Sequence, residues 1–129
     1  IARVLAPGGT AYLSVYFKNW VLRAWPALSW AGKILHRLGG GLKGRGREGI
    51  YAESRADEVV RLYDGSDNPV GKAYSRLEFT ELVAPWFEVQ ETFQHFFPAR
   101  SLPARLPRVL HRFLDSTCGF MLHARLRKT

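Results

Sequence analysis

Three stretches alternate apolar and polar residues, and each alternation predicts a strand. In the segment from Thr10 to Phe17, Ala11, Leu13, Val15 and Phe17 share one face at the two-residue period of a strand. Tyr12 and Tyr16 keep the opposite face partly apolar, so burial on both faces is expected. Phe87 to Phe93 alternates in the same way for a strand with one exposed face, and the pattern runs on through His95 and Phe96 to Pro98. Gly119 precedes a third strand, Phe120 to Leu126, which ends in a basic tail. The expected strands therefore lie near 10–17, 87–97 and 119–127.

Between them the spacing turns helical. Asn19 is placed to cap one helix, and Pro26 suits the first helical position of a second that ends at Leu38 before Gly39, giving two short helices or one kinked one. Trp20, Ala24, Leu28, Ala31, Leu35 and Leu38 form one apolar face, with Arg23, Trp30, Lys33 and Arg37 near the other. The bland reading is a helix packed on the sheet; the functional one is a lid or an interfacial membrane contact made by exposed Trp30 beside its basic neighbours. An amphipathic segment over 52–63 leads into the turn cluster Asp64-Gly65-Ser66-Asp67-Asn68-Pro69. Ser75 with Glu78 three residues on is a capping box, and Phe79, Leu82, Val83 and Trp86 continue that helix's stripe up to Pro85. A further helix is expected from Pro107 to Thr117. At the start, Ile1 to Leu5 reads as the end of a helix, followed by the turn Ala6-Pro7-Gly8-Gly9.

Composition narrows the function classes. With 47% hydrophobic and 13% aromatic residues, the 129 residues suit one folded domain or part of one. The single cysteine, Cys118, excludes an internal disulfide, which favours a reducing cytoplasm. No spanning helix is expected, because Lys18, Arg23, Lys33 and Arg37 interrupt the most apolar region. The formal net charge of +8 is concentrated in Lys43-Gly44-Arg45-Gly46-Arg47 and in the stretch from Arg100 to Lys128. Such an excess attracts polyanions and anionic lipid without specifying either.

Several motifs fail their structural context. Gly44-Arg45-Gly46-Arg47-Glu48-Gly49 matches G-x-G-x-x-G, but a helix rather than a strand precedes it, so it reads as a connection and not as a nucleotide loop. The acidic residues of 64–69 are too few and wrongly spaced for an EF-hand. His36, His95, His111 and His123 lack metal-ligand spacing, and Cys118 has no evident catalytic partner.

Arg3-Val4-Leu5-Ala6-Pro7-Gly8-Gly9 followed by a strand resembles the element preceding the fifth strand of class I S-adenosylmethionine-dependent methyltransferases. Tyr74-Ser75-Arg76-Leu77-Glu78-Phe79, then Trp86-Phe87-Glu88-Val89, is similar to that family's late helix and sixth strand, and the segment from Gly119 to Lys128 to its seventh. Together these cover roughly half of the chain. The resemblance implies an α/β fold: the C-terminal part of a Rossmann-like methyltransferase sheet, with three mixed strands, the last antiparallel between the other two, flanking helices and a helical insertion. Residues 1–129 would be the C-terminal portion of one methyltransferase domain, with 19–73 an insertion or lid. The implied activity is methyl transfer from S-adenosylmethionine to a small or lipid-like acceptor, with most of the cofactor site, including its glycine loop and ribose-binding acid, upstream of Ile1. Alignment of donor and acceptor supplies most of the catalysis in such a reaction, so no catalytic side chain is assigned.

In open α/β sheets, ligands bind beyond the carboxyl ends of the parallel strands. That rule selects Tyr16, Lys18 and Asn19 on one strand end, His95 and Arg100 beyond the other, and Tyr74 before the capped helix as substrate-facing candidates, with Phe96 on the same edge. The alternative class is a non-catalytic basic α/β module holding RNA or an anionic membrane surface. Aromatics interleaved with basic residues suit base stacking. Here most aromatics fall at core phases of helices and strands, which disfavours a nucleic-acid partner and leaves peripheral membrane contact open.

Overall fold

Pro7 and Gly8 make the turn that launches the first strand. Gly9 N–H closes it by donating to Ala6 O at 2.9 Å, and Gly8 holds φ at +74°, the left-handed geometry that a turn with Pro in its first central position requires of the second. The computed structural model describes residues 1–42, 44–99, 102 and 104–129. They form a mixed α/β fold on a four-stranded sheet: β1 (Thr10–Phe17), β2 (Ala73–Tyr74), β3 (Phe87–His95) and β4 (Met121–Lys128), in the order β2-β1-β4-β3. Strand β4 is antiparallel to both β1 and β3, so these two run in the same direction, and β2 is parallel to β1. The helices are α1 (Trp20–Arg23), α2 (Trp25–Arg37), α3 (Ala56–Asp64), α4 (Arg76–Val83) and α5 (Arg108–Cys118), with a 3-10 turn over Arg47–Ala52.

The last strand takes the central antiparallel place expected of it. The strand count does not match: β2 adds a fourth strand, too short to leave a periodic signal. It forms because Lys18 N–H donates to Tyr74 O at 2.8 Å and the Asp57 carboxylate accepts from Ala73 N–H at 2.9 Å. Strand β3 stops at His95 instead of running to Phe97, since Phe96 turns to φ +70° and breaks the ladder. Ile1 to Leu5 is not helical; it makes a turn closed by Val4 N–H to Ile1 O at 3.1 Å.

One sheet face carries the main core. Ala11 and Phe17 of β1, Leu122, Ala124 and Leu126 of β4 and Phe87 of β3 pack against Phe79 and Val83 of α4. The capping box that starts α4 is present, with Ser75 Oγ accepting from Glu78 N–H and the Glu78 carboxylate accepting from Ser75 N–H. Two residues of the predicted stripe, Leu82 and Trp86, are exposed: Leu82 lies off the buried face and Trp86 follows the helix end. On the other sheet face, the carboxyl end of β1 is covered. There Tyr16 meets a second cluster of Leu22, Ile50, Val59, Val60, Tyr63 and Ala73, while Tyr12 stays 73% exposed, so β1 is not buried on both faces along its length. Among the described residues, no helix is long and apolar enough to cross a membrane.

Candidate functional site

Strands β1 and β3 end at the same sheet edge, where β4 begins. The chain leaves β1 through Asn19, which is 3% exposed and uses its whole amide. Its Oδ1 accepts from Leu22 N–H at 2.8 Å to cap α1, and its Nδ2 donates to Cys118 O at 2.9 Å and Gly119 O at 3.0 Å. The start of α1 is thereby bound to the end of α5. Gly119 permits this junction, because a Cβ there would lie 2.4 Å from Asp115 O and 2.7 Å from His95 N.

Beyond this junction lies a pocket of about 460 Å³. Helix α2 contributes Leu28, Ala31 and Leu35; Ile50 and Tyr51 come from the 3-10 turn, Val59 and Tyr63 from α3, and Phe97, Cys118 and Phe120 from the far sheet edge. Among the described residues, neither a carboxylate nor a cationic side chain lines it. Trp25 fastens α2 by donating its indole N–H to Ile50 O at 3.1 Å, and the Tyr51 hydroxyl accepts from Leu42 N–H at 3.1 Å. Gly41, at φ +86°, brings that loop against Tyr51, where a Cβ would overlap the hydroxyl. His36 lies tilted against Tyr51 with ring centroids 5.3 Å apart, and its buried Nδ1 has no hydrogen-bond partner among the described residues.

The substrate-facing candidates separate in space. Asn19 lines the pocket, although its bonds make it a positioning residue. Tyr16 sits behind the lining: its ring packs edge-on to Phe120 at 5.6 Å and Tyr63 at 6.4 Å, and its hydroxyl donates to Asp64. Burial first, then the bond to and charge of Asp64, push the Tyr16 phenol well above its ordinary pKa, so it is neutral and bound. Lys18 points away to α4, with Nζ 3.1 Å from the Glu78 carboxylate. The Glu78 carboxyl is held down at about 2, chiefly by the backbone N–H of Ser75 and then by Lys18. Tyr74 packs against the main core with Lys72 Nζ 6.0 Å from its ring centre. His95 is exposed, and its Nδ1 lies 3.5 Å from Asp115, as does that of His111. None of these last three lines the pocket. Arg100 lies outside the described residues.

Helix α2 does present Leu28, Ala31 and Leu35 inward, as the helical spacing requires. Trp20 and Leu38, placed on the same face by a continuous helix, are exposed, since the chain breaks at Ala24 between α1 and α2 and Leu38 follows the end of α2. Tyr51, Tyr63, Phe97 and Phe120 were missed as site residues. Each carries only the local signal of an ordinary core aromatic, and nothing nearby in sequence marks them as neighbours. The glycine motif over 44–49 leads into the 3-10 turn rather than following a strand, which removes it as a phosphate loop. Among the described residues no group of His, Cys, Asp and Glu is arranged to hold a metal ion. No family model, curated protein or solved structure matches the chain.

Proposed function

We propose that this chain forms the acceptor-binding part of a class I S-adenosylmethionine-dependent methyltransferase, and that the pocket receives the apolar body of a small or lipid-like methyl acceptor. One observation carries the reading: a pocket of about 460 Å³, without a charged lining residue among the described residues, sits beyond the carboxyl ends of two parallel strands. That edge is where open α/β sheets bind ligands, and the volume is that of a small-molecule site. The order of the β1, β4 and β3 strands, with the antiparallel one between, supports the same family.

The donor does not fit this pocket. S-adenosylmethionine carries a sulfonium, a charged amino-acid end and ribose hydroxyls, and the described lining offers the two charged groups no ionic partner. The donor's contacts are therefore assigned to residues other than these, and the residues present here bind and orient the acceptor. Helix α2 acts as the cover of the site. It has no fully buried residue, and it is followed by Gly39 and Gly41, both at positive φ and suited to a hinge.

A fluorescence titration with 4-octylphenol tests the pocket. Binding near micromolar that perturbs tryptophan emission is expected, weakened about tenfold or more by Ala31→Trp, which fills the space. Absence of binding, or binding indifferent to Ala31→Trp, removes the acceptor reading. The same chain titrated with S-adenosylmethionine by calorimetry is expected to show no micromolar affinity.

A further inference from the structure

Helix α2 lines the pocket with Leu28, Ala31 and Leu35, and α5 reaches it at its last residue, Cys118; the solvent faces of the two helices share one construction. On α2 the exposed apolar residues are Trp30 (62%), Ile34 and, at its end, Leu38, four residues apart and hence in one stripe. Lys33 and Arg37, also exposed, stand one position before Ile34 and Leu38, which sets a basic row about 100° around the helix. On α5 the exposed residues Val109 (82%), Leu110 and Phe113 (60%) make the stripe, and exposed Arg108 and Arg112 stand one position before Val109 and Phe113. Helix α2 contains no acidic residue, and the one acid of α5, Asp115, is buried. Exposed Trp20 joins the α5 patch by donating its indole N–H to Thr117 O at 3.2 Å.

We infer that these two faces dock the protein on an anionic lipid bilayer, with the stripes entering the acyl boundary and the basic rows meeting the headgroups. The charge is complementary to such a surface on both helices, and the exposed side chains are the mixture of Trp, Phe and branched aliphatics that an interface accepts. A nucleic acid would find few partners here, because Ile34, Leu38, Val109 and Leu110 cannot stack on bases. Docking would also set the pocket beside the reservoir of a lipid-like acceptor, and to that extent the inference rests on the acceptor reading of the pocket.

Sedimentation of the full chain with phosphatidylcholine vesicles, with and without phosphatidylglycerol, tests it. Binding is expected with the anionic vesicles, falling with added salt, and weak with the zwitterionic ones. The double variant Trp30→Glu/Phe113→Glu, altered only at exposed positions, should lose about tenfold or more of the affinity while keeping the native circular dichroism. Failure to bind anionic vesicles overturns the inference. So does binding that survives Trp30→Glu/Phe113→Glu but disappears in Arg108→Gln/Arg112→Gln, which marks simple polyanion attraction. The two readings fail separately: the docking variant should still bind 4-octylphenol, and Ala31→Trp should still bind vesicles.

Discussion

Around Leu122 and Leu126 the apolar side chains close on one another, whereas around Leu22 and Tyr63 similar residues stop short and leave a pocket of about 460 Å³. The first cluster is a sheet face met by one helix, α4, which is followed directly by β3, so few elements must fit and they fit closely. The second gathers residues from α1, α3, the 3-10 turn and β2, with α2 and the ends of β1 and α5 around them. Many short elements meeting at one sheet end cannot all approach closely, and apolar walls without a filling side chain are what a ligand pocket is. Residue type therefore does not separate core from site; the number of elements that must converge does.

The comparison breaks most sharply at Leu126, which is fully buried in the closed cluster. Leu126→Ala should cost about 3–4 kcal/mol in a denaturant titration, because a close-packed site keeps the cavity it is given. A loss below about 1 kcal/mol would mean that the sheet core is as loose as the pocket. Asn19 joins the two regions to the end of α5, and Asn19→Ala removes a helix cap and leaves two carbonyls without their donor. About 2–3 kcal/mol of destabilisation is expected, and Asn19→Asp, which keeps the cap acceptor but turns a buried carboxylate oxygen toward both carbonyls, should not recover it. In the open region, Leu28→Ala and Leu35→Ala should each cost no more than about 1 kcal/mol, since they enlarge a space that already exists, yet weaken 4-octylphenol binding several-fold. If both variants are as destabilising as Leu126→Ala, the space around α2 is packed in solution.

The smallest effect concerns α4. The Glu78 carboxyl, depressed from its ordinary 4.5 to about 2, favours the fold while ionised. Its contribution is complete above pH 4.5 and fades as the pH falls toward about 2. Glu78→Gln should flatten this acid limb by lowering stability near neutral pH toward the value that both chains share in acid, and the drop should be small because the site is solvent-exposed. An acid limb identical to that of the parent chain would show that Ser75 and Lys18 do not hold the carboxylate in solution.

Where a signal is local, the sequence carries it. The β1 alternation, the Pro7-Gly8 turn, the Asn19 cap and the Ser75–Glu78 box each depend on residues within a few positions, and each is present. Strand β4 in the central antiparallel place was expected through resemblance, not through periodicity, and it too is present. The two-residue strand β2 was not legible, because it owes its place to Lys18 and Asp57, far off in the chain. The candidate site was read less well. Choosing residues at a strand end takes no account of where each side chain finds its partner, and Lys18, Tyr74 and His95 found theirs in Glu78, the main core and Asp115.

The chain's own pattern thus determined most of the helices and the three long strands, the caps at Asn19 and Ser75 and which face of α2 turns inward, since hydrogen bonding and periodicity act over a few residues. Tertiary structure alone decided that Tyr51, Tyr63, Phe97 and Phe120 face one space, that Asn19 is a clamp, and that the outer stripes of α2 and α5 stay uncovered. Those outcomes depend on the distances between elements once the sheet has formed, and a one-dimensional pattern holds no measure of such distances.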